Sequence, residues 1–278
     1  MAALAFWVGA GVFCAPGLAR AEAPERVVSI NLCTDQLAMM LAGEGQLISV
    51  SRLSLDPNVS ALVDQARSYR INTGLAEDVF LMQPDLVLAG VYTPQATVSM
   101  LRNLGIPVEI FDITESLDGV RDQVAKMGHV LHRDAAADRV IADFDARRAA
   151  LASEGGERPS AILFYANGYT SGEASLAHEI LELGGFRNAA VEAGYVWGMK
   201  MPLEVLAMTE ADLVITPTPY PGGSRAEDVT RHPAVKAMQD QRAATTLTNQ
   251  DWICGTPFVL RAAERLAATR RTMVEADQ

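Results

Sequence analysis

Positive charge is scarce in this chain. Lysine and arginine number 23 against 34 aspartates and glutamates, a net charge of −11, and the isoelectric point lies near 4.8. That balance argues against binding nucleic acid or an anionic membrane surface and favours a basic docking partner. Catalytic signatures are missing too. There is no G-x-S-x-G, no Walker phosphate loop and no G-x-G-x-x-G, so nothing points to an α/β-hydrolase, a P-loop NTPase or a dinucleotide enzyme. Histidines number four, His129, His132, His178 and His232. His129 and His132 are predicted to share a helix face, but no further ligands accompany them, and a metal site needs more than two. The chain is expected to be neither an enzyme nor a protein with a metal of its own.

Long apolar runs are equally scarce. Only Met1 to Ala21 is apolar and free of acids, and it ends in Ala19-Arg20-Ala21, an A-x-A cleavage pattern. It reads as a secretory signal peptide removed before Glu22, which places the mature protein in the periplasm. As a membrane anchor it falls short of the roughly 20 residues a spanning helix needs, and Pro16 and Gly17 interrupt it. Of the three cysteines, Cys14 leaves with that segment. Cys33 and Cys254 remain, in a compartment whose chemistry permits them to pair.

What is present is a core and a rhythm. Hydrophobic residues make up 49% of the chain, enough for a sizeable interior. Apolar runs at Arg26–Ile30, Leu47–Ser51, Asp85–Ala89 and Ile106–Phe111 read as strands, with helical patterns at Asp35–Ala42, Glu77–Met82 and Pro94–Leu104 between them. This order implies a mostly parallel sheet covered by helices. The rhythm restarts after Pro159, with strands at Ser160–Tyr165, Asp212–Thr216 and Ala244–Leu247. Between the halves, Ser116–Leu151 lacks proline and keeps apolar residues near helical spacing, which predicts one helix of about 54 Å. The predicted fold is α/β: two Rossmann-like lobes, residues 22–115 and 158–278, joined by a single long helix at 116–152, with a ligand cleft between the lobes and little lobe motion. An internal repeat supports two related lobes. Glu77 lies eight residues before Asp85 in Asp-Leu-Val-Leu, and Glu204 lies eight before Asp212 in Asp-Leu-Val-Ile.

Ligands of parallel α/β sheets bind beyond the carboxyl ends of strands. Asn31 and Cys33 follow the first predicted strand, Arg52 the second, Tyr92 the one opened by Asp85, Tyr169 the one ending at Tyr165, and Trp252 the one ending at Leu247; Trp197 lies in a glycine-flanked loop. Aromatic walls with few charges suit a large, flat, partly apolar ligand.

In the order and spacing of its segments the chain resembles the periplasmic substrate-binding proteins of iron-chelate and cobalamin ABC importers, the class with a rigid interlobe helix. The resemblance is carried by the opening strand Arg26–Ile30, Gln83-Pro-Asp-Leu-Val-Leu88, Leu104-Gly-Ile-Pro-Val108, Tyr169-Thr-Ser-Gly172, Glu204-Val-Leu-Ala207 and Asp212-Leu-Val-Ile215. It implies a monomeric carrier with no cofactor of its own. The cargo would be an iron- or cobalt-containing chelate, a ferric siderophore first and a corrinoid next, delivered to an ABC permease at the inner membrane. It also implies that Glu77 and Glu204, one per lobe, dock onto permease arginines, a bidentate, charge-assisted contact, and that Trp197 and Trp252 line the cleft. Cys33 and Cys254 fall on cleft-edge loops, one per lobe. They either bridge and staple the cleft, or remain thiols, or act as soft metal ligands. Rival readings are a haem receptor, a receptor for free zinc or manganese, for which the histidines look misplaced, and a secreted α/β enzyme, for which no nucleophile and base are visible.

Overall fold

Val27 packs into one apolar core and Val28 into another, and the same alternation runs through Leu86, Val87, Leu88 and Ala89. Strands buried on both faces pair in parallel with helices on either side. The computed structural model describes residues 22–276, so the expected signal peptide lies outside the described residues. Its first lobe is a five-stranded parallel sheet of β1 (Val27–Ser29), β2 (Leu47–Ser51), β3 (Arg70–Asn72), β4 (Leu86–Gly90) and β5 (Val108–Phe111), in the order β3-β2-β1-β4-β5. The second lobe repeats the plan. It contains β6 (Ser160–Leu163), β7 (Tyr169–Thr170), β8 (Arg187–Asn188), β9 (Met199–Lys200), β10 (Leu213–Pro217) and β11 (Ala243–Leu247). Four of these form a parallel sheet in the order β11-β10-β6-β8, and β7 pairs with β9 antiparallel. Ala161 and Leu163 face one core, Ile162 and Phe164 the other. Four strands are absent from the sequence reading: β3 and β8 of the parallel sheets, and the two-residue β7 and β9. Ile71 is the only apolar residue of β3, and β8 is two polar residues long, so neither carries an apolar pattern. Among the described residues no helix is long and apolar enough to cross a membrane.

The internal repeat has a structural meaning. The Asp85 carboxylate accepts hydrogen bonds from the Glu25 and Arg26 amides at 2.7 and 3.0 Å, just ahead of β1. The Asp212 carboxylate accepts from the Ser160 amide at 2.7 Å, at the start of β6. In each lobe this aspartate ties the first amides of one central strand to the strand beside it, satisfying donors that the ladder leaves free.

The single interlobe helix is corrected to a helical hairpin. Leu117–Val130 and Asp134–Ala152 are separate helices, and His132 between them has φ +55°. His132 therefore lies outside both helices and shares no face with His129. The two helices run antiparallel: Asp118 meets Arg148, Arg121 meets Asp145, and Gly128 lies against Ala137. The chain turns because Leu131 stays fully buried in the first lobe's core. Each helix spans both lobes, and the longer, of 19 residues, covers about 28 Å rather than 54 Å.

Gly128 is the contact that allows this crossing. A Cβ there would overlap the Cβ of Ala137. Gly128→Ala gains about 1 kcal/mol of helix propensity but overpacks a buried contact, which costs about 1–3 kcal/mol. The expected net loss is about 1 kcal/mol, read as a lower urea midpoint at unchanged slope. A raised midpoint would show that the hairpin relaxes freely here.

Candidate functional site

The carboxyl ends of β1 and β4 meet at Asn31. This residue caps the helix Leu32–Leu41, its Oδ1 accepting from the Cys33 and Thr34 amides at 2.9 and 3.4 Å. A Cβ at Gly90, the last residue of β4, would sit 2.9 Å from Asn31 Nδ2, so glycine is what lets that strand end against the cap. Beyond this junction lies a cavity of about 210 Å³ between the lobes. The first lobe supplies Asn31, Cys33, Tyr92 and Phe111 to its wall, and the second supplies Trp252 and Ile253. Trp252 is held edge-on by Tyr165, with ring centroids 5.5 Å apart and planes at 63°. Burial pushes the Tyr165 phenol well above its ordinary range, so it stays neutral.

The structure thus brings Asn31, Cys33, Tyr92 and Trp252 to one wall. Arg52, Tyr169 and Trp197 do not line this cavity. Arg52 is exposed and opens the 3-10 turn Arg52–Leu55 after β2. Tyr169 lies on β7, where the Lys200 ammonium sits 6.0 Å from its ring centre, and Trp197 lies just ahead of β9, 59% exposed. Tyr169 and Trp197 are thus exposed aromatic surface on the second lobe, outside the cavity. Glu77 and Glu204 are both exposed, each in the first turn of a short helix, Ala76–Phe80 and Leu203–Met208. Among the described residues neither carboxylate has an ion-pair partner.

Cys33 and Cys254 form a disulfide, with Cα atoms 5.2 Å apart, so the candidate staple is made. Leu32 and Val59 pack around it. Nearby, the Tyr220 hydroxyl donates to Asp56, and the Gln250 amide donates to the Pro57 carbonyl. The bond from Tyr220 lowers the Asp56 carboxyl below its usual range, and Asp56 raises the Tyr220 phenol. Sequence reasoning missed Asp56, Tyr220 and Ile253. The run Pro217-Thr-Pro-Tyr-Pro-Gly-Gly223 after β10 was the available signal, since a turn-rich loop at a strand's carboxyl end belongs to the cleft.

The chain matches the family described as periplasmic binding protein over residues 27–245. It is 29% identical to a cobalamin-binding protein of Halobacterium salinarum over 199 residues, 69% of this chain and 54% of the relative. The chain therefore spans about half the length of that relative. It is 24% identical over 255 residues to a vitamin B12-binding protein of Yersinia pestis, covering 88% of this chain and 86% of the other. The periplasmic heme-binding protein of Roseiflexus, solved in apo form, superposes with a TM-score of 0.71 at 20% identity, covering 88% of this chain and 97% of the other.

Under the cleft lies Asp35, fully buried in the first turns of the helix Leu32–Leu41. Its Oδ2 accepts from the Ser51 amide at 3.0 Å and from the Ser51 and Ser54 hydroxyls at 2.5 and 2.7 Å. Its Oδ1 has no partner among the described residues. Burial raises its pKa to about 6, against the opposing pull of the neighbouring Ser29, Ser51 and Ser54 hydroxyls. A carboxyl raised in the fold stabilises fully below its unfolded pKa, and that contribution is lost as pH rises through about 6. The loss is on the order of 2 kcal/mol between pH 4 and pH 7. Asp35→Asn, with its oxygen on the Oδ2 side, is expected to be more stable than the parent at pH 7.5, the gap closing towards pH 4 in urea melts. A gap independent of pH would show that Asp35 is ionised throughout.

Proposed function

Because the chain belongs to the periplasmic binding protein family, we propose that it is the substrate-binding component of an ABC importer, resident in the periplasm, carrying a metal chelate whose first candidate is a corrinoid. The observation that carries this choice is the charge of the cavity wall. Among the described residues, the only charged side chain lining it is Asp112; the polar remainder is amides and hydroxyls such as Asn31, Gln123 and Thr114. Burying an anion against such a wall, with no cation to pair it, is costly. Haem propionates and carboxylate or catecholate siderophores are disfavoured on that ground. A corrinoid presents neutral amides and an apolar ring edge. The names of the two curated relatives, cobalamin-binding and vitamin B12-binding, support the same cargo.

The cavity is smaller than the roughly 300–1,000 Å³ of common ligand sites, so it takes one part of a large chelate. The remainder would lie against exposed aromatic surface, to which Tyr169 and Trp197 belong. The protein has no resident cofactor in this reading, acts as a monomer and makes or breaks no covalent bond: it captures, diffuses and delivers. Glu77 and Glu204 are unpaired carboxylates, one per lobe at matching positions, and would meet arginines of the inner-membrane permease.

Tryptophan fluorescence of the mature protein, titrated with cyanocobalamin, ferric siderophores, haem and bare metal ions, is expected to show saturable sub-micromolar quenching by cyanocobalamin. A response confined to an anionic chelate or a bare ion would reject the corrinoid cargo. Glu77→Arg with Glu204→Arg is expected to leave that affinity unchanged. The same double variant should abolish stimulation of the cognate permease's ATPase, and undiminished stimulation would remove both acids from docking.

A further inference from the structure

The two sides of the interlobe cleft are built differently. On one side the loops after β1 and β2 are fastened to the loops after β10 and β11. Cys33 is bonded to Cys254, Tyr220 to Asp56, and Gln250 to the Pro57 carbonyl, with Leu32 and Val59 packed around the cystine. On the other side Tyr92 and Ile113 line the cavity yet are 82% and 54% exposed, and the loop after β5 touches the second lobe through Thr114 against Gly255. Among the described residues no hydrogen bond crosses from Tyr92 or Ile113 to the second lobe. The fastened side does not owe its closure to the polar pairs. The Tyr220 and Gln250 contacts are exposed, and exposed hydrogen bonds are individually weak because water replaces them. The Cys254 side of the cystine is buried, 2% exposed, its Cys33 side is half-buried, and the bond is covalent.

We propose that the Cys33–Cys254 cystine makes the cleft one-sided. It shuts the half bounded by the loops after β1, β2, β10 and β11, so that cargo enters and leaves only across the edge that carries Tyr92 and Ile113. Because Cys33 is itself part of the cavity wall, the bond also fixes the cavity's width and selects cargo by size. The cystine is thus a positioning and specificity element rather than a mere stabiliser of the chain. The selection of cargo rests on the binding-protein reading; the one-sided geometry does not.

The test severs the bond in two ways, in the Cys33→Ser/Cys254→Ser variant and in wild-type protein reduced and alkylated, with circular dichroism confirming that each stays folded. Hydrogen–deuterium exchange is then read without cargo. Peptides covering residues 56–60 and 249–256 should exchange at least tenfold faster once the bond is cut, while residues 91–95 are unchanged. Unchanged exchange at 56–60 and 249–256 in either severed form would overturn the proposal, as would equal acceleration on both sides of the cleft. With cyanocobalamin as the probe, dissociation should be about tenfold faster from the severed forms. An equal dissociation rate would reject the role in selection. If cyanocobalamin does not bind the intact protein, the corrinoid reading fails alone, and the exchange rates still decide the geometry.

Discussion

Val120 and Val124 lie one helical turn apart on the same face of one helix, yet they are buried in different cores. Val120 packs with Phe144 and Leu151 in the second lobe's interior, and Val124 packs with Leu131 and Ala137 in the first lobe's. The returning helix does the same in reverse, from Ala137 to Phe144. To swing the lobes apart, one set of these side chains would have to leave a close-packed interior. Each large apolar side chain withdrawn costs about 1.5–3 kcal/mol. The ion pairs along the hairpin, such as Arg121 with Asp145, are partly exposed and contribute little beside that. Rigidity between the lobes therefore follows from shared cores. The length of the connecting helix is incidental, and a helix half as long as the sequence suggested has the same effect.

The front of the cleft hangs from this fixed back through a short series of polar supports. Asn31 caps the helix whose first turn carries Cys33, and the cap's acceptor is bonded to the Cys33 amide itself. In the same turn Asp35 grips Ser51 and Ser54, which sets the 3-10 turn that leads into Asp56 and Val59. Cap, buried acid and cystine thus act on neighbouring segments of one surface. A carboxyl left with one oxygen unpartnered is costly in a core. Its location directly under the fastened loops explains why the fold tolerates it: no other described side chain ties the helix to that turn.

Much of this was legible in the sequence because it is written locally. Central strands announce themselves by apolar runs, and the twin Asp-Leu-Val segments marked equivalent strands before any contact was known. Cys33, Tyr92 and Trp252 were found by their place after strand ends. What escaped detection was decided at long range. Leu131-His132-Arg133 has neither proline nor glycine and continues the apolar spacing, so nothing local ends the helix there; the burial of Leu131 and the crossing at Gly128 do. Tyr220 and Asp56 are 164 residues apart, and neither is unusual in its own neighbourhood. The strand-end rule also selects a rim without giving depth, which is why Arg52 and Tyr169 follow the carboxyl ends of β2 and β6 but lie away from the cavity; Trp197, chosen for its glycine-flanked loop, precedes β9 and lies away from it too.

That distinction between rim and depth bears on how one fold serves unlike cargoes. Strand ends set where a ligand sits, and the shared architecture extends to a heme-binding protein at a TM-score of 0.71, so architecture alone does not choose the cargo. The choice is left to side chains on loops, and here they divide the labour. The recessed wall is apolar and amide-rich, where a negative charge on the ligand would go unpaired. On the exposed aromatic surface Lys200 lies beside Tyr169; it is solvated there, and its attraction for a ligand is screened by salt. Shape and neutrality at depth therefore weigh more in selection than charge at the rim, and the bond between Cys33 and Cys254 acts at depth.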